Sequence, residues 1–224
     1  MSWAEIRTRS PERRTLPWVK VEKRYVFDTT QGKKTLADLF GGNSQLIVQH
    51  FMWRHDLDQG CVGCSLHTDH AQGARPHLTH HDVSFVVVSR APLEKLQAYR
   101  TRMGWETEWV SSLNSDFNFD YHVSFTKEQL KGNVYYNYEE IPGENAMDEL
   151  PGLSVFIKDD AGQIYHTYSS YARGNEEAIS AFYYLDLTPK GRNESETMDW
   201  VKRHDEYDAE PTPSCCHTPA AKSA

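Results

Sequence analysis

Two runs of strand length and nearly unbroken apolar character, residues 45–51 and 84–89, restrict most tightly what this chain can fold into. Strands buried on both faces read as continuous hydrophobic runs, and the valine-rich second run suits a pleated sheet. Between the two, residues 65–74 have room for a helix that ends before Pro76. After the second run, Pro92 suits the first turn of a helix that carries Leu93, Leu96 and Tyr99 at helical spacing, with Gly104 as its stop. Strand, helix, strand, helix in this order predicts a parallel or mixed α/β sheet.

The rest of the chain fills in around that unit. Residues 1–20 read as an amphipathic lead-in, 24–28 as a short strand turning at Thr30, Gln31 and Gly32, and 36–40 as one helical turn closed by Gly41 and Gly42. Residues 105–112 suggest a further strand. Residues 113–150 are aromatic and polar without a period, which predicts an insertion packed on one side of the sheet. Residues 153–158 and 163–168, separated by Asp159, Asp160, Ala161 and Gly162, form a hairpin by their turn chemistry. Helices are predicted at 176–184 and 197–204, and the Pro-, Ser- and Ala-rich residues 209–224 read as a flexible tail. This β–α–β–α–β order followed by a hairpin and a helix is the layout of a thioredoxin-like domain. The expectation is one such domain over 21–208, a central mixed sheet flanked by helices, with an insertion at about 113–150 and extensions at both ends.

Composition narrows the function classes. With 224 residues the chain can bury a sizeable core. A net charge of −8 argues against a general nucleic-acid or anionic-membrane surface, and Arg7, Arg9, Arg13 and Arg14 are expected on a solvated helix face. No stretch reaches the ~18 apolar residues of a membrane span, and the first residues lack the apolar core of a secretory signal, so a cytoplasmic protein is expected. Four cysteines in a chain of this length do not make a disulfide framework. In a reducing compartment a close cysteine pair is redox-active or metal-binding more often than a permanent staple.

That pair is Cys61 and Cys64, set behind the first apolar run by a short polar loop and opening the predicted helix. A thiolate at a helix N-terminus faces unpaired backbone N–H groups and the positive end of the dipole, which lower its pKa. One turn on, Cys64 lies within reach to resolve a mixed disulfide formed on Cys61. Trp53, Arg54, His55 and Asp56 occupy the loop before the pair, where Arg54 or His55 would stabilise the thiolate or simply be solvated. Metal binding competes with this reading. Cys61, Cys64, His67 and His70 recur every three residues; on a regular helix that spacing drifts, so two or three of them can share an ion, with His122 a further candidate. Thiolate and imidazole suit zinc or copper. His77, His80 and His81 are expected at the far end of the sheet. Asp116, Asn118 and Tyr121 are placed at the mouth only through the insertion, and Cys215, Cys216 and His217 fall in the tail.

Several segments resemble the bacterial thioredoxin-like family known as domain of unknown function 899, whose members are often labelled dithiol–disulfide isomerase-like or peroxiredoxin-like. They are Gln49 to Met52, Gly60 to Ser65, Asp82 to Leu93, Met103 to Trp105, Ser115 to Asn118, His166 to Gly174 and Leu185 to Arg192. The resemblance spans roughly residues 10–208 and implies a thioredoxin fold with insertions, but no established reaction. Tyr168, Tyr171 and Arg173 stand in one of these segments, where a strand end and helix entry explain them as well as a site does. Against better-known relatives the pair departs. Gly60 replaces the thioredoxin tryptophan, Val62 and Gly63 replace its Gly-Pro, and Asp58 stands where peroxiredoxins place Thr or Ser. Thioredoxin-type sites also face their cysteines with a cis-proline before a main strand, and Pro151 is the candidate.

The expected function is therefore a thiol–disulfide oxidoreductase that needs no organic cofactor and acts on a small-molecule thiol or disulfide or on a protein disulfide. The alternatives are a copper or zinc protein built on the pair and nearby histidines, and a thioredoxin-fold binding module without catalysis.

Overall fold

The computed structural model describes residues 12–53 and 57–208. Arg54, His55, Asp56, the first part of the lead-in with Arg7 and Arg9, and the tail with Cys215, Cys216 and His217 lie outside the described residues. The chain opens with β1 (Val19–Lys20), β2 (Val26–Thr29) and β3 (Gly32–Thr35), then enters β4 (Gln45–His50). Helix α1 (Val62–His80) leads to β5 (Val83–Ser89), and α2 (Leu93–Arg102) to β6 (Glu108–Ser111). After the one-turn helix α3 (Phe117–Asp120) and the hairpin β7 (Asn133–Tyr136) and β8 (Glu139–Pro142), the chain returns as β9 (Gly152–Lys158), β10 (Ile164–Tyr171) and α4 (Ser180–Asp186).

Eight strands form one sheet in the order β1-β10-β9-β4-β5-β6-β2-β3. β4, β5 and β6 are parallel, with Val48 opposite Val86 and Val88 opposite Val110, while β9 runs antiparallel to β4. The apolar run of β4 is continuous because both of its faces are covered. Leu46 and Val48 pack with Phe40, Phe117 and Phe156 on one side, and on the other Phe51 packs with Val87, Leu96 and Trp109 under α1 and α2. A parallel β4–α1–β5 unit, completed by the antiparallel β9–β10 hairpin and α4, is the thioredoxin-like arrangement. It puts the start of α1 and the start of β9 side by side at the C-terminal end of β4, where His50 pairs with Gly152.

Three local expectations need correcting. Helix α1 does not stop before Pro76 but runs through it to His80. Pro76 removes one backbone donor, but it is exposed, so water can serve the freed carbonyl of Gln72. The helix expected at 176–184 is split into a 3-10 stretch (Ala172–Ala178) and α4. Residues 197–204 form no continuous helix; a strap of turns (197–200) and irregular chain there ends in one 3-10 turn (His204–Glu206). The insertion carries its own two-stranded sheet, which buries Val134 and Tyr136 against Val123, Phe125 and Tyr171. Strand β3 pairs with β2 and gives the turn after residue 28 its partner.

Candidate active site

Cys61 is the N-cap of α1, with φ −55° and ψ 131°, and its Sγ accepts the backbone N–H of Cys64 at 3.5 Å. Its own N–H donates to Met52 O at 3.4 Å, so the loop that leaves β4 returns to the strand's end before the helix begins. The Ser65 hydroxyl donates to Cys61 O at 2.7 Å. Its one proton is thereby used, so the Tyr99 hydroxyl donates to Ser65 at 2.8 Å and accepts from Arg203 Nε at 3.0 Å. Glycine is required just before the pair: a Cβ on Gly60 would lie 2.6 Å from the Phe51 ring and 2.9 Å from Tyr99. Below, the Gln49 amide donates to Cys64 O at 2.9 Å and its oxygen accepts from Thr68 at 3.0 Å. The start of the helix is therefore held by side chains from β4, α1, α2 and the strap.

The two thiols are driven apart in acidity. A hydrogen bond from the Cys64 thiol is the largest influence lowering the Cys61 pKa, to about 7. The backbone N–H groups of Cys64 and Gly63 and the Arg203 guanidinium add to it, while burial opposes. The Cys64 thiol is pushed well above its ordinary value, first by that same hydrogen bond and then by burial and by the charges of Cys61 and Glu149. Cys61 is half-buried and Cys64 fully buried. An attacking thiol near ambient pH combines a substantial thiolate fraction with retained nucleophilicity.

Both cysteines line a cavity of about 260 Å³ between α1, the start of β9, the 3-10 stretch before α4, and the strap. Pro151 is in its wall, as its position before β9 predicts, but among the described residues no peptide bond is cis, so the cis-proline expectation is corrected. His67 also lines it, 4% exposed, and burial holds its imidazole down to about 4. His70 does not join it. Nδ1 of His70 donates to Leu66 O within α1 at 2.7 Å and Nε2 accepts the N–H of Ala181 at 3.1 Å, so both nitrogens are used and the second ties α1 to α4. His122 is exposed in the insertion with its ring against Tyr135 and takes no part. The donor set expected for copper or zinc is thus reduced to Cys61, Cys64 and His67. Among the described residues no group of three or more His, Cys, Asp or Glu side chains is arranged to hold a metal ion.

Other candidates fall elsewhere. Trp53 is buried 5.1 Å (ring centroids) from Tyr99 and faces a separate cavity with Lys95 and Glu149. Asp116 pairs with Lys23, Asn118 accepts from Ser112, and Tyr121 belongs to the core under β4, so none of the three reaches the mouth. His77 and His80 sit in the last turn of α1, at the opposite end of the helix from the cysteines. Arg173 does line the cavity.

Two participants have no signature in the sequence near the pair. Arg203, from the strap, donates through Nη2 to Gly60 O at 2.6 Å, and its only advance signal is a cation in a chain rich in carboxylates. His50, fully buried, also lines the cavity. Its Nε2 meets Ser154 Oγ at 2.8 Å, Ser154 meets Ser169 at 2.9 Å, and Ser169 meets His166 at 2.8 Å, a polar chain across β4, β9 and β10. An apolar strand run containing one histidine was the available clue.

Among curated proteins none matches this sequence. Among solved structures, peroxiredoxin Q of Xanthomonas campestris is similar at a TM-score of 0.48 and 9% identity, covering 78% of this chain and 97% of that one. The peroxidoxin BcpB of Mycobacterium tuberculosis gives 0.41 and 11% identity, covering 77% and 97%. A hypothetical protein of Sinorhizobium meliloti 1021 gives 0.42 and 13%, covering 68% and 70%. Likeness at this level speaks for neither substrate nor catalytic residue. The sequence model of one family matches residues 6–207, nearly the whole chain, and this protein belongs to that family, the bacterial proteins of unknown function DUF899.

Proposed function

We propose that the protein is a thiol–disulfide oxidoreductase in which Cys61 attacks and Cys64 resolves. The observation that carries this reading is the opposite displacement of the two thiols. The half-buried one, at a helix N-cap, is drawn toward the thiolate, and the one packed behind it is held as a thiol that donates to it. Surface cysteines with no task have no need of such a division.

In the first step the Cys61 thiolate attacks one sulfur of a disulfide; a Cys61–substrate disulfide forms, and the second substrate sulfur leaves as a thiolate that takes a proton from solvent. With the negative charge on Cys61 gone, Cys64 loses both the acceptor of its proton and the charge that suppressed its ionisation. Its sulfur then attacks Cys61, the bound substrate sulfur leaves and takes up that proton, and the enzyme ends as the Cys61–Cys64 disulfide. An external dithiol returns the pair to its reduced form, consistent with action in a reducing cytoplasm and with no organic cofactor.

Alkylation with iodoacetamide across pH tests the assignment. Cys61 should label with a midpoint near pH 7 and Cys64 only far above it. Cys64→Ser should trap the mixed disulfide, visible as added mass, and Cys61→Ser should form none. Equal labelling of both cysteines at the rate of an unfolded peptide refutes the proposal.

A further inference from the structure

The cavity over the cysteines is partly covered, and what covers it bears on the substrate it admits. Its roof is the strap, which is fastened on both flanks. Arg173 Nη1 donates to Thr197 Oγ1 at 3.2 Å, and Arg203 donates to Gly60 O and Tyr99. Arg102 pairs with Asp205 at 2.7 Å and Glu206 at 2.9 Å, and His204 meets Asp69 at 2.7 Å. Val201 is buried with Leu66, Ile179 and Phe182 in a small core of its own. Met198 lies so close over the cysteine turn that a Cβ on Gly63 would sit 2.8 Å from its terminal carbon. Under this cover Cys61 is only partly exposed, which narrows the approach to its sulfur.

The chemistry of the wall is as selective as its size. Ile179, Phe182, Met198 and Pro151 supply hydrocarbon. The charged groups at the mouth neutralise one another: Glu176 holds Arg173 at 2.8 Å and Arg192 at 2.7 Å, and Asp186 takes Arg192 at 2.9 Å. Among the described residues, both arginines at this mouth are thus held by carboxylates. Among the deeper polar groups Gln49 is committed to Cys64 and Thr68, and Asn175 Oδ1 accepts from Ser170. Two imidazoles of the wall are not fully committed: His50 gives Nε2 to Ser154 but leaves Nδ1 buried with no partner, and His67 makes no side-chain hydrogen bond among the described residues. A polar atom left without a partner costs free energy that a ligand's hydrogen-bonding group would recover. At about 260 Å³ the space lies near the small end of ligand pockets, roughly 300–1,000 Å³.

Resting on the redox reading of Cys61, we infer that the pocket takes a small, uncharged, mainly apolar organic disulfide, with one polar atom met by His67, and excludes protein disulfides and charged peptide disulfides. The reaction is that given above: one substrate disulfide becomes two thiols as the enzyme dithiol becomes a disulfide, and a dithiol reductant closes the cycle.

The test is single-turnover oxidation of the reduced full chain by dipyridyl disulfide, glutathione disulfide and insulin. Each rate is divided by that of the same disulfide with a free thiol at the same pH, which removes intrinsic reactivity. Dipyridyl disulfide should be favoured over the other two by roughly 10- to 100-fold, the discrimination that burying one ring-sized apolar group supplies. Thr197→Trp, at the exposed rim, should lower the dipyridyl rate about tenfold by narrowing the mouth, and Met198→Ala should raise the glutathione disulfide rate about tenfold by opening the roof, a gain that misfolding does not produce. Equal normalised rates for the three disulfides, or a glutathione disulfide rate unmoved by Met198→Ala, overturn the selectivity and leave the redox reading standing. If no disulfide reacts faster than with free thiol, the redox reading itself falls.

Discussion

Replacing His50 with phenylalanine should flatten the dependence of unfolding free energy on pH, by an amount that follows from burial. His50 is fully buried with its ring stacked on Phe117 and Tyr121, and burial, aided by the charge on His166, lowers its pKa to about 3. Burial first and His70 second hold His67 at about 4. In the unfolded chain both titrate near 6.5. The folded state therefore declines protons that the unfolded state accepts. Stability is complete above pH 6.5 and is lost progressively as pH falls from 6.5 toward the folded values. At pH 5.0, about 1.5 units below the unfolded pKa at about 1.4 kcal/mol per unit, each histidine has cost about 2 kcal/mol. The pair removes about 4 kcal/mol from a total that is typically 5–15 kcal/mol. Urea unfolding followed by tryptophan fluorescence at pH 7.5, 6.5, 5.5 and 5.0 measures the loss. The His50→Phe variant should lose about 2 kcal/mol less than wild type across this range, whatever its stability at pH 7.5. The depressed carboxyl groups of Asp38 and Asp82 are common to both proteins and cancel in the difference. Parallel curves for wild type and variant would refute the argument, because they would mean that His50 takes up its proton within the fold.

Further outcomes follow from the same packing. Gly60→Ala drives a methyl group into the Phe51 and Tyr99 rings and should cost about 1–3 kcal/mol, read as a lowered urea midpoint with unchanged slope. Arg203→Gln removes a cation that lowers the Cys61 pKa, so the alkylation midpoint should move above pH 7 and labelling at neutral pH should slow; an unmoved midpoint would show that the helix start alone sets it. Phe156→Ala empties a fully buried site between β9 and the aromatic cluster under β4 and should cost about 3–5 kcal/mol in the same unfolding assay.

What the sequence made legible and what it hid divide by distance along the chain. The runs that became β4 and β5 were readable because a strand covered on both faces has no choice but to be apolar throughout, and Gln45–His50 and Val83–Ser89 are covered on both. The cysteine pair was readable because the groups that act on it, the N–H of Gly63 and of Cys64, lie within the same turn of chain. Pro76 misled because a proline inside a helix is penalised through its neighbours' hydrogen bonds, and at an exposed position water supplies the missing partner. Every third residue from Cys61 to His70 suggested a metal set, yet the drift of that spacing around a helix carried His70 to α4, and its nitrogens are spent on Ala181 there and on Leu66 within α1. The strap resisted prediction for another reason. Met198, Val201 and Arg203 carry no period, and what orders them is a surface assembled from β4, α1 and α2, which only the finished fold presents.

Thiolate activation and substrate selection are in this way assigned to different parts of the chain. Activation is local: a helix N-cap and a second thiol one turn away would produce much of it in any protein that places a cysteine pair after a central strand. Selection is not, since the roof over Cys61 is made by residues more than a hundred positions later. Met198 and Thr197 meet the pocket with side chains, while Arg203 reaches Gly60 through its backbone oxygen. Exchange of side chains at 197 and 198 can therefore alter the volume and polarity of the mouth while Arg203 continues to set the cysteine loop. Two relatives with identical cysteine segments but different residues at these two positions would share an acidity at the first cysteine and differ in the disulfides they accept.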